Sequence, residues 1–208
     1  IQKLFQVANF KNINFNKNYL HSVLKKINSS YSKNLIIADF GIGVFSKDLI
    51  KSLEKCKKDL FVNVQTNSLN FGTNVFTKYK NYKYLSLDLK EWQVGFQLLN
   101  PDLKIIEKKI SKLKGNKSIT LGQNGSIYLS GNEKYYSPVF DEKLIDTTGC
   151  GDAYFAITSM LISQKDLPKN LIPFLGNLYA GMHGKYLGNS KITGTTAYLK
   201  YINSLFKI

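Results

Sequence analysis

The sequence predicts an α/β protein, a largely parallel β-sheet covered by helices on both faces. Three observations predict it. Short apolar runs of buried-strand type alternate along the chain with segments whose apolar residues recur at helical spacing. The 208 residues suffice for one domain, 1–208, with a substantial core and no covalent staples. Polar and glycine residues gather just after the strands, where sheets of this kind bind ligands beyond the strand carboxyl ends.

The first element is a helix over Asn18 to Ile27, with Tyr19, Leu20, Val23, Leu24 and Ile27 on one face, followed by the strand Leu35–Phe40. After the Gly41-Ile-Gly43 break, Ser46 caps a second helix with Leu49, Ile50 and Leu53 inward, leading to the strand Leu60–Val64. Tyr84–Leu87 is the third strand, with helices from about Asp88 and from about Asn100-Pro101, where proline suits a first turn. Strands Ser118–Leu121 and Ser126–Leu129 flank the turn Gly122-Gln-Asn-Gly125 as a hairpin-like unit. From Gly151 onward the chain is predicted helical, near 152–163, 168–187 and 194–206. The loops at 39–43, 63–74, 86–91, 122–125 and 146–152 then share one end of the sheet.

Composition narrows the function. The net charge of +15 invites a nucleic-acid partner, yet all 29 basic residues other than His are Lys. Without Arg the bidentate fork that reads phosphates and bases is absent, and the lysines are scattered over helix faces. Cys56 and Cys150 stand far apart with no Cys or His nearby, which indicates neither zinc nor a disulfide framework. No apolar run reaches membrane-spanning length and Ile1–Gln6 does not make a signal peptide, so a soluble cytoplasmic protein is expected. There is no Gly-x-x-x-x-Gly-Lys-Ser/Thr loop, dinucleotide fingerprint, paired-His zinc motif or Gly-x-Ser-x-Gly turn. The isolated His21 and His183 read as surface or packing residues.

The most informative stretch is Asp146-Thr-Thr-Gly-Cys-Gly-Asp152, which runs into the apolar segment Ala153–Ile162. A glycine-broken turn opening a helix leaves the backbone N–H groups of Gly149, Cys150 and Gly151 unpaired and aligned with the helix dipole, a place for an anion. A carboxylate, Asp152, ends the same turn. A base beside an anion hole suggests phosphoryl transfer to a hydroxyl, although an Asp there is also an ordinary helix cap. At Asp88-Leu-Lys-Glu91 two carboxylates start another helix, where hydrated Mg²⁺ or simply the helix N-terminus would accept them.

The string Asp146–Asp152 closely resembles the Asp-Thr-x-Gly-Ala-Gly-Asp signature of the ribokinase-like (pfkB) carbohydrate kinases, with Cys150 where the family usually has Ala. The resemblance implies a three-layer ribokinase-like fold, an ATP-dependent phosphotransferase, Asp152 as the base and Gly149, Cys150 and Gly151 as its anion hole. It also implies that Asp88 and Glu91, similar to the family's Asn-x-x-Glu, reach Mg²⁺. Thr120-Leu-Gly122-Gln-Asn-Gly125 resembles the segment lining the nucleotide pocket, which nominates Thr120, Gly122 and Gly125. Gly176–Gly181 looks like the helix bordering the adenine and nominates Asn177. On the substrate side, Asp39-Phe-Gly-Ile-Gly43 resembles an Asp-Tyr-x-Lys-Gly segment with Ile42 in place of Lys. Asn63 lies where many relatives have Asp-Pro-Lys, and Asp146 opens the signature. The string Gln65–Gly72 is similar to the branch related to heptose 7-phosphate kinases.

The resemblance spans the chain but only the C-terminal two-thirds of such a kinase, with the lid strands missing, as if the sequence were cut or the gene split. An exposed sheet edge would follow, and with it a homodimer or association with the missing N-terminal part. The expected partners are ATP and a sugar or sugar phosphate, with no membrane and no nucleic acid. Two other readings stay open: a degenerate nucleotide-binding relative acting as a regulatory or assembly subunit, and a basic nucleic-acid-binding module.

Overall fold

A computed structural model of the chain describes residues 16–67, 70–140, 143–188 and 190–206. The segment Ile1–Gln6, and Ser68 and Leu69 within the Gln65–Gly72 string, lie outside the described residues. In chain order the elements are α1 (Lys17–Ser29), β1 (Asn34–Asp39), α2 (Lys47–Lys55), β2 (Asp59–Val64), β3 (Tyr84–Asp88), α3 (Leu89–Gly95), α4 (Leu103–Ile110), β4 (Asn116–Thr120), β5 (Ser126–Ser130), β6 (Glu133–Ser137), α5 (Cys150–Ile162), α6 (Leu171–His183) and α7 (Thr195–Phe206). The strands form one sheet in the order β1-β2-β3-β4-β5-β6. β1 runs parallel to β2 and β2 to β3, with Asp39 opposite Val64 and Val62 opposite Leu85. The sheet is flanked by helices, the α/β architecture expected from the alternating pattern.

The helices begin where their caps stand. Asn16 accepts the N–H of Tyr19 for α1, Ser46 that of Leu49 for α2, and Asp102 that of Lys104 for α4. Pro101 therefore precedes the cap of α4 rather than opening its first turn, because the Asp102 carboxylate is the better acceptor for an orphan N–H. β6 was not foreseen: Glu-Lys-Tyr-Tyr-Ser lacks the apolar run of a buried strand, but at the end of the sheet order it faces water along most of its length, so a polar strand is tolerated there. α6 is shorter than the periodicity predicts, ending where the N–H of Gly184 closes on Ala180 O.

The chain divides into two compact units, residues 16–119 with Leu129–Glu133, and Thr120–Tyr128 with residues 134–206. In the first, Phe61, Val62, Leu85, Trp92, Ile106, Ile110 and Ile119 are fully buried, each contributing about 2 kcal/mol by leaving water. Trp92 lies edge-on to Phe76 with centroids 4.7 Å apart and donates its indole N–H to Ser118 O at 3.1 Å, which satisfies the one polar atom it buries. In the second unit, α5 and α6 approach closely at Gly176, where a Cβ would stand 2.5 Å from the Tyr154 ring. The Tyr179 and Tyr198 rings meet edge to face at 5.1 Å, and Tyr198 donates to Leu175 O at 2.8 Å.

Candidate active site

In the second unit, the turn ahead of α5 is built as its glycines require. Gly149 is the N-cap of α5 at φ 82°, ψ −3°, a left-handed conformation that an L side chain rarely adopts. Cys150, Gly151 and Asp152 form the first helical turn. Among the described residues no acceptor faces the N–H of Gly149 or of Gly151. Cys150 departs from the expectation: its N–H donates to Thr147 O at 3.2 Å, closing the turn, so it is not an unpaired donor. Burial first, then the nearby Asp146 charge, push its thiol up. Asp152 is half-buried in that turn.

Asp146 fastens the turn. One carboxylate oxygen accepts the N–H of Thr148 at 2.9 Å and the other that of Gly188 at 2.8 Å. The hydrogen bond from Thr148, aided by Gly188 and the charge of His183, holds the carboxyl below the usual range. The N–H groups of Ile145 and Asp146 both reach Gly184 O, at 2.8 and 3.1 Å. The Nε2 of His183 stands 3.2 Å from Thr148 O. Sequence reasoning took His183 for an isolated residue, since its partner lies 35 positions away.

Two of the nucleotide candidates of this unit, Gly125 and Asn177, meet the same stretch of chain. Thr120 ends β4, and Gly122-Gln-Asn124 is a single 3-10 turn closed by Gly125 at φ 79°, ψ −140°. A Cβ on Gly125 would lie 2.1 Å from Ser137 O. Asn177, 8% exposed, directs both amide hydrogens to the same segment, to Ser137 O at 2.8 Å and Pro138 O at 2.9 Å. Gly125 and Asn177 thus clasp residues 137–138 from two sides, while Gly122 is exposed.

In the first unit, the ends of the parallel strands β1 to β3 are tied together by polar side chains. Asp39 is 2% exposed, accepts from Gly41 N at 3.0 Å and the Tyr79 hydroxyl at 2.8 Å, and pairs with Lys78. Burial, then the Asp39 charge, push the Tyr79 phenol well above its ordinary value, so it stays a neutral donor. Asn70 and Asn74 hold the main chain at Phe40, Gln65 and Asp39, and Asn74 also accepts from Lys78. Lys78 thus supplies a cation beside Asp39 although Ile42 replaces the family's Lys. The spacing Asn70, Asn74, Lys78 was the available signal for this cluster. Asn63 donates to Ser86 O at 2.8 Å and leaves its Oδ1 buried with no partner among the described residues, a place that ordinarily holds a water.

Asp88 and Glu91 form a capping box: Asp88 Oδ1 accepts the N–H of Glu91 at 2.7 Å and Glu91 Oε2 that of Asp88 at 2.8 Å. The remaining Glu91 oxygen accepts from Thr66 N at 3.0 Å, strapping the loop after β2 to the start of α3. Among the described residues no group of three or more His, Cys, Asp or Glu is placed to hold a metal. Both Glu91 oxygens and Asp88 Oδ1 accept backbone N–H groups, so the pair would take Mg²⁺ through its remaining lone pairs or through the several waters that this ion keeps beside one or two protein carboxylates.

The fold and this glycine turn define an α/β protein of ribokinase-like architecture. The chain matches the pfkB family carbohydrate kinases over residues 13–178, and it belongs to that family. Among solved structures it is similar to ribokinase from Thermotoga maritima, at 18% identity and TM-score 0.65, over 86% of this chain and 59% of that one. It is likewise similar to phosphofructokinase-2 from Escherichia coli in complex with potassium, at 13% identity and TM-score 0.73, over 92% and 63%. A third is a nucleoside kinase from Burkholderia thailandensis in complex with ADP-inosine, at 16% identity and TM-score 0.69, over 91% and 59%. At these identities the likeness is one of fold. The chain spans 59–63% of the length of these three proteins. A search of curated proteins by sequence finds no match. Among the described residues no helix is long and apolar enough to cross a membrane.

Proposed function

We infer that the chain carries out ATP-dependent phosphoryl transfer to a hydroxyl of a sugar or sugar phosphate, with a heptose phosphate as the acceptor favoured by the Gln65–Gly72 string. The observation that carries this reading is the left-handed Gly149 at the start of α5, with acceptor-free N–H groups on Gly149 and Gly151 and Asp152 in the same helical turn. Phosphoryl transfer needs positioning and charge stabilisation more than covalent catalysis. Asp152 accepts the proton of the attacking hydroxyl. The hydroxyl oxygen bonds to the γ-phosphorus, and the bond from that phosphorus to the β–γ bridging oxygen breaks as ADP leaves. The N–H groups of Gly149 and Gly151 receive the charge that grows on the γ-phosphoryl oxygens, each such donor being worth roughly 3–4 kcal/mol when lost. Cys150 holds the turn through its N–H rather than donating to the phosphate.

Thr120, Gly122, Gly125 and Asn177 belong to the nucleotide side of this reading, the last two by fixing the 137–138 chain. Glu91 and Asp88 are the residues that would hold Mg²⁺, whose chemistry when bound is to neutralise phosphate charge. Asp39, Asn63 and Asp146 act as supports: Asp39 and Asp146 have their oxygens engaged by the protein, and the Asn63 oxygen is buried. The test is Mg·ATP-dependent phosphorylation over a panel of sugars and sugar phosphates with wild type and Asp152→Asn. The variant should lose transfer by at least about a hundredfold and bind ATP as wild type does; turnover retained in Asp152→Asn refutes the assignment.

A further inference from the structure

The geometry points to His183, at the carboxyl end of α6, as the residue that orients the Gly149 N–H donor. Thr147 to Cys150 is a four-residue turn closed by the Cys150 N–H to Thr147 O bond, and Gly149 has the φ 82°, ψ −3° of the third position of a type II turn. The central peptide of that turn joins Thr148 to Gly149. Its carbonyl oxygen is the atom that His183 reaches, at 3.2 Å. A carbonyl cannot donate, so Nε2 carries the hydrogen in this contact.

A trans peptide is planar, with its C=O and N–H pointing to opposite sides. Whatever grips Thr148 O therefore sets the direction of the Gly149 N–H. Because the third position is Gly, the central peptide has a competing orientation, the type I turn with φ near −90° there, in which C=O and N–H exchange sides. That flip would turn the Gly149 donor away from its anion and leave Thr148 O in its place. Thr147 and Thr148 are exposed, so apolar packing does not prevent it. The neighbouring ties run to other atoms: Asp146 binds Thr148 N and Gly188 N, and Gly184 O binds Ile145 N and Asp146 N. Among the described residues His183 is the side chain that holds the central carbonyl. A hydrogen bond accepted there also polarises the peptide and makes its N–H the stronger donor.

His183 is thus a positioning residue, acting on the phosphate through a peptide plane. The inference rests on the reading of the turn as an anion hole, and the experiment separates the two. The full chain is compared with His183→Leu, which removes the donor, and His183→Gln, which keeps an N–H donor at similar reach. The Gly149 amide is followed by NMR for its shift on addition of inorganic phosphate and of ATP, together with kcat and KM.

In His183→Leu the phosphate-induced shift of the Gly149 amide should be lost or should need about tenfold more phosphate, the free energy of one hydrogen bond. The kcat should fall on the order of tenfold to a hundredfold, part of the loss for a whole anion-hole donor, with KM for ATP changed less than about twofold. His183→Gln should restore most of each. A Gly149 amide in His183→Leu that shifts with phosphate as in wild type overturns the inference, as does a Gln variant that behaves like Leu. Should the Leu variant not fold, the Gln variant decides by the same amide readout: wild-type behaviour supports the inference and loss of the shift overturns it. If wild type transfers phosphate to no acceptor, the functional reading fails, while the amide readout still decides whether His183 sets the peptide.

Discussion

Replacing Gly125 by Ala probes the clasp around residues 137–138, and its cost can be worked from the structure. At φ 79°, ψ −140° the residue sits close to a region that glycine alone enters freely, which costs an L residue about 1–3 kcal/mol. The new Cβ would stand 2.1 Å from Ser137 O and 2.8 Å from Pro138 Cα. Both are backbone atoms, and retreat of that segment strains the two Asn177 hydrogen bonds, each with a net worth of about 1 kcal/mol. The sum is about 3–5 kcal/mol, or a fall in Tm of roughly 6–20 °C for a chain of this size. Gly122→Ala is the control. Gly122 has φ 58° with no atom within 4 Å of an added Cβ, so only the left-handed backbone counts, about 1–2 kcal/mol. Urea unfolding followed by far-ultraviolet circular dichroism measures both. If Gly125→Ala is no more destabilised than Gly122→Ala, the clasp does not have the rigidity argued for it.

Two further stability predictions lie in the first unit. Lys117 is 1% exposed, with its ammonium 2.8 Å from Leu113 O, and burial pulls its pKa down. The folded state therefore holds that proton less tightly than the unfolded chain. The cost is full below the folded pKa and disappears as pH rises toward the unfolded value. Lys117→Met should raise the unfolding free energy at neutral pH by about 1 kcal/mol, with the gain shrinking toward pH ~10; a destabilised variant would show that the Leu113 bond outweighs desolvation. At Asp59 burial works upward, but the hydrogen bond and charge of Lys83 at 2.9 Å, with Lys33, outweigh it and hold the carboxyl low. Its stabilisation is present above the unfolded value of about 3.9 and is lost as pH falls through the folded one. Asp59→Asn should therefore cost less than about 1 kcal/mol at pH 7 and nothing at pH ~2, and a pH-independent difference in midpoint would refute the pairing.

Much of this was legible in the sequence because it depends on neighbours along the chain. Ser46 and Asp88 announce helix starts through interactions reaching only three residues, Gly149 does so through its backbone freedom, and apolar periodicity exposes strands such as Leu60–Val64. The polar strand Glu133–Ser137 was illegible, because its place comes from pairing at a sheet end and not from its own apolar pattern. Asp88 and Glu91 show the limit of motif reading. Their spacing was visible, but the strap from Glu91 to Thr66 appeared only once the β2 loop was seen beside them.

By itself the sequence determined the α/β class, the family signature and the chemistry that an Asp in a glycine turn can perform, since backbone freedom and carboxylate basicity are properties of the residues themselves. Tertiary structure alone decided which N–H groups in that turn remain available, that Cys150 donates to Thr147, that Lys78 answers Asp39, and that His183 lies against Thr148. The physical reason is distance along the chain. A hydrogen bond between residues 35 positions apart forms only where packing elsewhere has already brought two helix ends together, and no local pattern encodes that meeting.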